Sequence, residues 1–144
     1  LQSRGLGDVY KRQLWFGRGR IFYALKNYDE SIASFKKVVE LKPDLFEGNY
    51  YLGVFYTIKA DEMNKVMNEK QYSSQTAYDT DLKEVNAVYM DAVPWFEKAY
   101  ELKKDDVNTL DFLKSICFRL RDEEGMMDKY NKYNTLLKEA KGEE

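Results

Sequence analysis

The 144-residue chain contains no histidine and a single cysteine, Cys117. Histidine is the commonest general base and the commonest metal ligand, so its absence removes the most familiar catalytic and zinc chemistry. One cysteine cannot form a disulfide within the chain. Because Cys117 lies among Leu113, Ile116 and Leu120, we expect an ordinary buried thiol rather than a reactive one. The sequence therefore predicts no catalytic residues, no metal site and no cofactor, and it indicates a protein that is not an enzyme.

Other shortages narrow the class of protein further. Only two prolines and eight glycines interrupt the chain, which permits long helices. No apolar run approaches the ~18 residues that a membrane-spanning helix needs. The net charge of −2 implies no strongly basic face, so nucleic acid is not an expected partner. The composition is ordinary for one soluble domain, and it does not separate a cytoplasmic from a periplasmic location.

Two remaining patterns are too weak to indicate chemistry. The acidic pairs at 105–106 and 123–124 are expected at turns or helix ends. Gly17 and Gly19 form a G-x-G pattern, but no predicted strand precedes them and no third glycine follows. We therefore do not interpret them as a phosphate-binding loop.

Residues 1–13 contain a stretch that differs in kind from the rest of the chain. The stretch 8–13 (DVYKRQ) resembles the translation of a transposase adapter used in preparing sequencing libraries. We interpret residues 1–13 as a non-native or disordered leader and expect the folded domain to begin at Leu14. On this interpretation the chain is the C-terminal part of a longer protein. The alternative is a genuine flexible N-terminus.

What the chain does contain is a motif that recurs after 34 residues, from Gly19 to Gly53. The first copy spans residues 15–22 (WFGRGRIF) and the second spans 49–56 (NYYLGVFY). In both copies an aromatic residue follows the glycine three positions later. Ser31, Phe35, Val38 and Pro43 come downstream of the first copy. This pattern resembles the tetratricopeptide (TPR) repeat, W-x2-L-G-x2-Y…A-x3-F…P, with its period of about 34 residues.

The resemblance implies an all-α fold of antiparallel helix hairpins, a TPR-like α-solenoid, over residues 14–140. One such hairpin cannot bury its apolar face alone, so hairpins stack on one another. We expect three of them, at about 14–43, 45–104 and 107–140, followed by a polar tail at 141–144. Lys114 stands where the third hairpin would have its small glycine, so this repeat is divergent.

The middle hairpin carries an insertion. Tyr56 and Ala92 are 36 residues apart, whereas the corresponding Phe22 and Ser31 are 9 apart, so about 27 residues are added near 61–87. We expect two lengthened helices joined by a loop at 73–80. A cap for the second of them is expected from one of three residues, Asp79, Thr80 or Asp81. Pro94 should kink or break that helix.

Two details of the first hairpin are also predicted. Asn27 and Tyr28 mark its turn, and Asp29 is expected to cap its second helix. Arg18 stands where the family usually has leucine, and a buried unpaired arginine would be costly. Its charge is therefore expected to reach the surface past Trp15, unless the packing differs here.

The resemblance further implies a non-enzymatic protein–protein interaction module or scaffold, whose first helices line a concave groove that holds a partner segment. The motif residues face the packing core, so groove residues are expected between them. These candidates are Phe16, Arg20, Tyr23, Tyr50, Val54, Thr57, Asp111, Ser115 and Phe118. For Phe16, Tyr23 and Tyr50, the alternative is packing against neighbouring hairpins.

Some members of this family grip the C-terminal carboxylate of a chaperone with lysines, arginines and asparagines at fixed groove positions. The corresponding positions here provide one positive charge, at Arg20, which disfavours that specialised function. The expected partner is a protein or peptide whose identity the sequence does not indicate. Two other functions stay open: a self-assembling structural protein, and an accessory repeat domain of a larger enzyme.

Overall fold

The computed structural model describes residues 2–143, and these residues form six α-helices without a β-strand. The helices are α1 (Gln2–Ala24), α2 (Tyr28–Leu41), α3 (Phe46–Glu69), α4 (Gln75–Leu102), α5 (Val107–Arg119) and α6 (Met126–Lys141). The all-α fold class predicted from the sequence is confirmed. No helix in this part of the chain is both long and apolar enough to cross a membrane.

Successive helices pair as three hairpins, α1–α2, α3–α4 and α5–α6. The hairpins stack because α2 packs on α3 and α4 packs on α5. The main contacts of each hairpin are thus internal or with the next hairpin along the chain, which is the arrangement of an α-solenoid.

Two buried glycines allow close helix packing inside the first two hairpins. A Cβ atom on Gly19 would overlap the ring of Phe35, and one on Gly53 would lie 2.7 Å from Cδ2 of Phe96. Both phenylalanines are fully buried. A side chain at either glycine would therefore push the paired helices apart, and this requirement explains the 34-residue recurrence of glycine. At the corresponding position of the third hairpin, Lys114 is half-buried.

The turn of the first hairpin includes Asn27, as predicted, but Tyr28 already belongs to α2 and the helix cap differs from the one expected. Lys26 adopts a left-handed φ of 56°, and α2 begins at Tyr28. Asn27 caps α2, since its side-chain oxygen accepts a hydrogen bond from the backbone N–H of Glu30 at 3.3 Å. The predicted cap at Asp29 is therefore wrong. Asp29 lies in the first turn of α2, where its charge faces the positive end of the helix dipole.

The insertion lengthens both α3 and α4, and residues 70–74 connect them. Ser74 caps α4 by accepting a hydrogen bond from the backbone N–H of Ala77 at 3.1 Å. The loop predicted at 73–80 is thus too late, and a cap from Asp79, Thr80 or Asp81 is wrong. Several residues in this polar stretch could serve as caps, and Ser74 is the one that the helix uses.

Pro94 does not break α4, contrary to one of the two outcomes expected from the sequence. The residue is exposed. Proline lacks the N–H that would bond to the carbonyl four residues earlier, but on an exposed face water can satisfy that carbonyl. The helix therefore continues to Leu102.

The insertion is part of the hydrophobic core. Met67, Val85 and Tyr89 are buried in the same cluster as Phe96 and the core of the third hairpin. A smaller cluster between α2 and α3 consists of Ile32, Phe35, Leu52 and Phe55. The lengthened part of α3 and α4 consequently packs as an extension of the solenoid core.

Helix α1 extends through most of the segment interpreted as a leader. Between Gly5 and Leu14, no residue is buried, and the apolar side chains of Leu6, Val9 and Tyr10 are exposed. The assignment of residues 1–13 to a leader stays a prediction.

Candidate partner-binding groove

The first helices of the hairpins line two adjoining clefts. The first cleft, of about 520 Å³, lies between α1 and α3 and is lined by Phe16, Arg20, Tyr23, Ala24, Tyr51, Val54 and Phe55. The second cleft, of about 690 Å³, lies between α3 and α5 with Tyr89 of α4 contributing to it. Its lining residues are Tyr50, Thr57, Asp61, Tyr89, Asn108, Asp111, Phe112, Ser115, Ile116 and Arg119. We call the two clefts together the groove.

The structure places eight of the nine predicted groove residues in these clefts. Those in the first cleft are Phe16, Arg20, Tyr23 and Val54. Those in the second are Tyr50, Thr57, Asp111 and Ser115. Phe118 lines neither cleft, because it lies further along α5, where its ring centroid is 5.1 Å from that of Tyr130 on α6. A binding role for these residues stays a prediction.

Two neighbouring tyrosines of α3 form a ridge between the clefts. Consecutive residues of an α-helix point about 100° apart, so Tyr50 faces the second cleft and Tyr51 the first. Their ring centroids are 5.6 Å apart in an edge-on arrangement. Burial, followed by the charge of Asp106, raises the pKa of Tyr50 above its ordinary value. The Tyr50 hydroxyl is therefore neutral at physiological pH.

The aromatic groove residues also pack against the core. Phe16 lies 4.8 Å from the Phe35 ring centroid, and Tyr50 lies 5.9 Å from that of Phe96. Tyr23 lies 5.3 Å from the ring of Phe55 but is 43% exposed. These three side chains thus both pack on the core and line the groove, and Tyr23 is the most exposed of them.

A polar cluster forms one wall of the second cleft. The Tyr89 hydroxyl donates a hydrogen bond to Asp61. The guanidinium carbon of Arg119 lies 4.4 Å from the Tyr89 ring centroid, and its Nη2 donates to Asn64 Oδ1 at 2.7 Å. Burial and then the Asp61 carboxylate raise the pKa of Tyr89. The Arg119 Nε is buried without a hydrogen-bond partner in the described part of the chain.

The sequence did not point to this cluster. Asp61, Asn64 and Tyr89 come from the insertion and its flank, and Arg119 comes from the end of α5. They meet because α3 pairs with α4 along the insertion and α5 packs on this hairpin, and the insertion lies outside the repeat pattern. One available signal was an arginine two residues after the buried Cys117.

Charge differs between the two clefts. Arg20 gives the first cleft a positive charge, whereas the second cleft is lined by Asp61, Asp111 and Arg119. The Asp111 carboxylate lies 3.8 Å from the Lys141 ammonium, a separation that gives only a weak attraction at an exposed site. Within residues 2–143, no three cysteine, aspartate or glutamate side chains gather closely enough to hold a metal ion.

Arg18 is accommodated without an unpaired charge. Its Nη1 donates to Ser34 Oγ at 2.6 Å, and its Nη2 lies 2.7 Å from Glu30 Oε2. The guanidinium also lies over the ring of Phe22 at 4.7 Å. The half-exposed pair with Glu30 allows an arginine where the family pattern has leucine.

Cys117 is fully buried, as expected for a structural thiol. Burial raises the pKa of its thiol to about 11. Because the thiolate is the reactive form of cysteine, this side chain behaves as a small apolar core residue at physiological pH.

Comparison with known proteins agrees with this architecture. Residues 19–57 match the family model described as the TPR repeat. The match begins at Gly19 in α1, spans α2 and ends at Thr57 in α3, so it includes both glycines that contact buried phenylalanines. No curated protein matches the chain. TPR repeats generally mediate protein–protein interactions and are typically non-enzymatic. The match covers 39 of the 144 residues, and together with the stacked hairpins it shows that this part of the chain is similar to a TPR repeat.

Proposed function

We propose that this protein is a non-enzymatic interaction module that binds a segment of another protein in the groove. The observation that carries the proposal is the pair of adjoining clefts along α1, α3 and α5. A partner segment, extended or helical, would cross the Tyr50–Tyr51 ridge and place side chains on both sides of it.

The chemistry of the lining favours a protein partner. Tyrosine combines a large apolar ring with a polar hydroxyl and is enriched at protein interfaces. Tyr23 and Tyr51 are both exposed at the first cleft. The second cleft adds carboxylates and a guanidinium that can fix the register of a bound chain by polar contacts.

The proposal is tested with peptides selected from a random phage-displayed library against the purified chain. We would measure the dissociation constant of each selected peptide by fluorescence anisotropy. Ser115→Arg places a bulky charge in the second cleft and should weaken binding by at least about tenfold, or roughly 1.4 kcal/mol. Thr135→Arg on α6 is the matched control, because Thr135 is also an exposed helical hydroxyl residue outside the groove.

The first cleft is tested in the same assay. Tyr23→Ala removes an exposed aromatic side chain and should also weaken binding about tenfold if Tyr23 anchors the partner. Tyr10→Ala is its control, since Tyr10 is an exposed tyrosine on the same helix but outside the cleft. Selected peptides that bind both groove variants as tightly as the original chain would contradict the proposal.

A second candidate function is self-assembly, and one observation favours it. Three apolar side chains in α1 and just beyond its end are exposed: Leu14 (61%), Ile21 (62%) and Leu25 (69%). Their spacing of seven and four residues brings them to one side of the helix. A second copy could cover this apolar side. Light scattering over a wide concentration range tests the idea, with Ile21→Asp as the disrupting variant. A monomer at every concentration would count against self-assembly.

A further inference from the structure

The middle hairpin projects beyond the turn of the first hairpin. The two hairpins meet at this turn, where Lys59 Nζ lies 2.6 Å from Asp29 Oδ1. Helix α3 continues from Lys59 to Glu69 beyond that contact, and α4 lies along it. The flank of this projecting part contains a second concavity, of about 330 Å³, with Tyr28 of α2 at one end. We call it the side groove.

The floor of the side groove is apolar. It consists of Met63, Val66 and Met67 from α3 and Val85 from α4. Met67 and Val85 belong to the buried core, but Val66 is 54% exposed. Methionine side chains are flexible and adapt to partners of different shape. Met63 and Val66 therefore provide the accessible apolar surface of the floor, and Met67 and Val85 lie buried beneath it.

The positive charges around the side groove are already paired. Lys59 is bound to Asp29, as described above. Lys70 Nζ lies 2.8 Å from Asp81 Oδ2, which also accepts a hydrogen bond from the Tyr72 hydroxyl at 2.8 Å. The bonds from Lys70 and then Tyr72 hold the pKa of Asp81 below its usual value. Both lysines thus have a carboxylate partner within the chain.

Two carboxylates at the side groove have no such partner. Glu62 of α3 and Glu84 of α4 both line it and are both exposed. Neither forms an ion pair or a side-chain hydrogen bond with any residue in the described range 2–143. The unbalanced charge beside the apolar floor is consequently negative on both helices.

We propose that the side groove is a second docking surface, separate from the groove of α1, α3 and α5, for a basic amphipathic segment of a protein partner. Apolar side chains of that segment would lie on the floor between Met63 and Val85. Its lysines or arginines would pair with Glu62 and Glu84, because complementary charge steers association and fixes orientation. The same carboxylates would repel an anionic membrane surface. This docking function goes beyond the proposed function of the groove.

The test uses two fluorescein-labelled synthetic helical peptides with leucine at the same positions. One carries lysine at its polar positions, and the other carries glutamate. Anisotropy titration of the full chain should show binding of the leucine–lysine peptide and none of the leucine–glutamate peptide. Equal binding of both peptides would overturn the proposal, since charge would then not select the partner.

Charge-reversal variants then locate the binding. Glu62→Lys/Glu84→Lys should weaken the leucine–lysine peptide by more than about tenfold. Glu123→Lys/Glu139→Lys is the matched control, since it changes the net charge equally at two exposed carboxylates outside the side groove. Binding that the two double variants weaken alike would overturn the proposal and indicate attraction to net charge alone. Circular dichroism of each variant checks that the helices are intact.

An apolar variant tests the floor independently. Val66→Ser should weaken the peptide about threefold to tenfold, whereas Val9→Ser, on exposed α1, should have no effect. The groove variants Ser115→Arg and Tyr23→Ala should also leave this peptide bound. Loss of binding in those variants would place the peptide in the groove, which would overturn the side-groove proposal while agreeing with the proposed function. A dimer that forms without peptide and dissociates in Glu62→Lys/Glu84→Lys would instead assign the side groove to a second copy.

Discussion

The first and middle hairpins share one packing contact and differ in what surrounds it. Gly19 meets Phe35 in the first hairpin, and Gly53 meets Phe96 in the middle one. Beyond that contact, the first hairpin ends in a short turn, whereas the middle hairpin continues through the insertion. The repeat motif therefore fixes how closely two helices approach but leaves their length free.

Different forces hold the two parts of the middle hairpin together. Around Gly53 the contact is close-packed and apolar, and such packing is sensitive to small changes of volume. Along the lengthened part of α3 and α4, which we call the extension, polar contacts such as Tyr89–Asp61 and Tyr72–Asp81 supplement a few buried apolar residues. A single hydrogen bond contributes only about 1 kcal/mol net. We therefore expect changes at the shared contact to cost more stability than changes along the extension.

The largest effect is expected at the phenylalanine of the shared contact. Phe96→Ala should lower the free energy of unfolding by about 3–5 kcal/mol, because Phe96 is fully buried and stacks on Phe112 with ring centroids 4.8 Å apart. Urea denaturation monitored by circular dichroism measures it. Phe118→Ala is the control and should cost far less, since Phe118 is 47% exposed. Equal losses of unfolding free energy in both variants would show that the Gly53–Phe96 contact matters no more for stability than an exposed ring.

Smaller losses are expected at the two glycines. Gly19→Ala and Gly53→Ala should each cost about 1–3 kcal/mol through overpacking against the buried rings. Gly53→Ala should cost less in the Phe96→Ala background, because the added methyl group then enters vacated space. Strict additivity of the two changes would mean that Gly53 and Phe96 do not constrain each other.

Substitutions in the extension should lower the free energy of unfolding less than substitutions at the shared contact. Tyr89→Phe keeps the buried ring and removes the hydroxyl that donates to Asp61, so it should cost about 1 kcal/mol. Tyr10→Phe, at an exposed position, should change nothing measurable. A loss in Tyr89→Phe as large as that in Phe96→Ala would reverse the ranking of the two regions.

Alkaline pH provides a further test of the extension. Burial, then the Asp81 hydrogen bond, raises the pKa of Tyr72 from 10.0 to about 12, and the pKa of Tyr89 is also raised. A raised folded-state pKa stabilises the fold fully below the unfolded value near 10, and this stabilisation is lost as pH rises through the folded value. Stability should thus fall as pH rises from 10 towards 12, and it should fall less steeply in Tyr72→Phe. Tyrosinate absorbance and denaturant unfolding measure these changes.

The smallest effect is expected from removing residues 1–13. The described side chains in this segment are not buried, so deletion should change the free energy of unfolding by no more than about 0.5 kcal/mol. A larger loss, measured by urea denaturation against the full chain, would contradict the interpretation of this segment as a leader.

The sequence predicted the fold and the close contacts because both depend on local spacing. The motif positions include Gly19, Gly53 and Phe35. A 34-residue period places these residues inside hairpins, and this placement does not depend on which protein the chain binds. Helix boundaries were less accurate where several caps compete. Asn27 and Asp29 are both good caps, and the chain alone does not say which one the turn will use.

The wall of the second cleft required the three-dimensional structure. Asp61 and Tyr89 are 28 residues apart, and Arg119 comes from another hairpin. Their meeting depends on the lengths of α3 and α4 and on how α4 stacks against α5. Phe118 lies outside the clefts for a related reason, since its position near the end of α5 places it beside α6.

Met67 and Val85 are buried in the same hydrophobic cluster as the core of the third hairpin, and this arrangement has an evolutionary consequence. An insertion that only touches solvent can be lost or exchanged without effect on its neighbours. Here the added segment and the third hairpin contribute to one hydrophobic cluster, and Arg119 of α5 donates a hydrogen bond to Asn64 of α3. A relative that lacked the insertion would expose that surface unless the third hairpin changed with it. The two segments are therefore expected to be inherited and replaced as a unit.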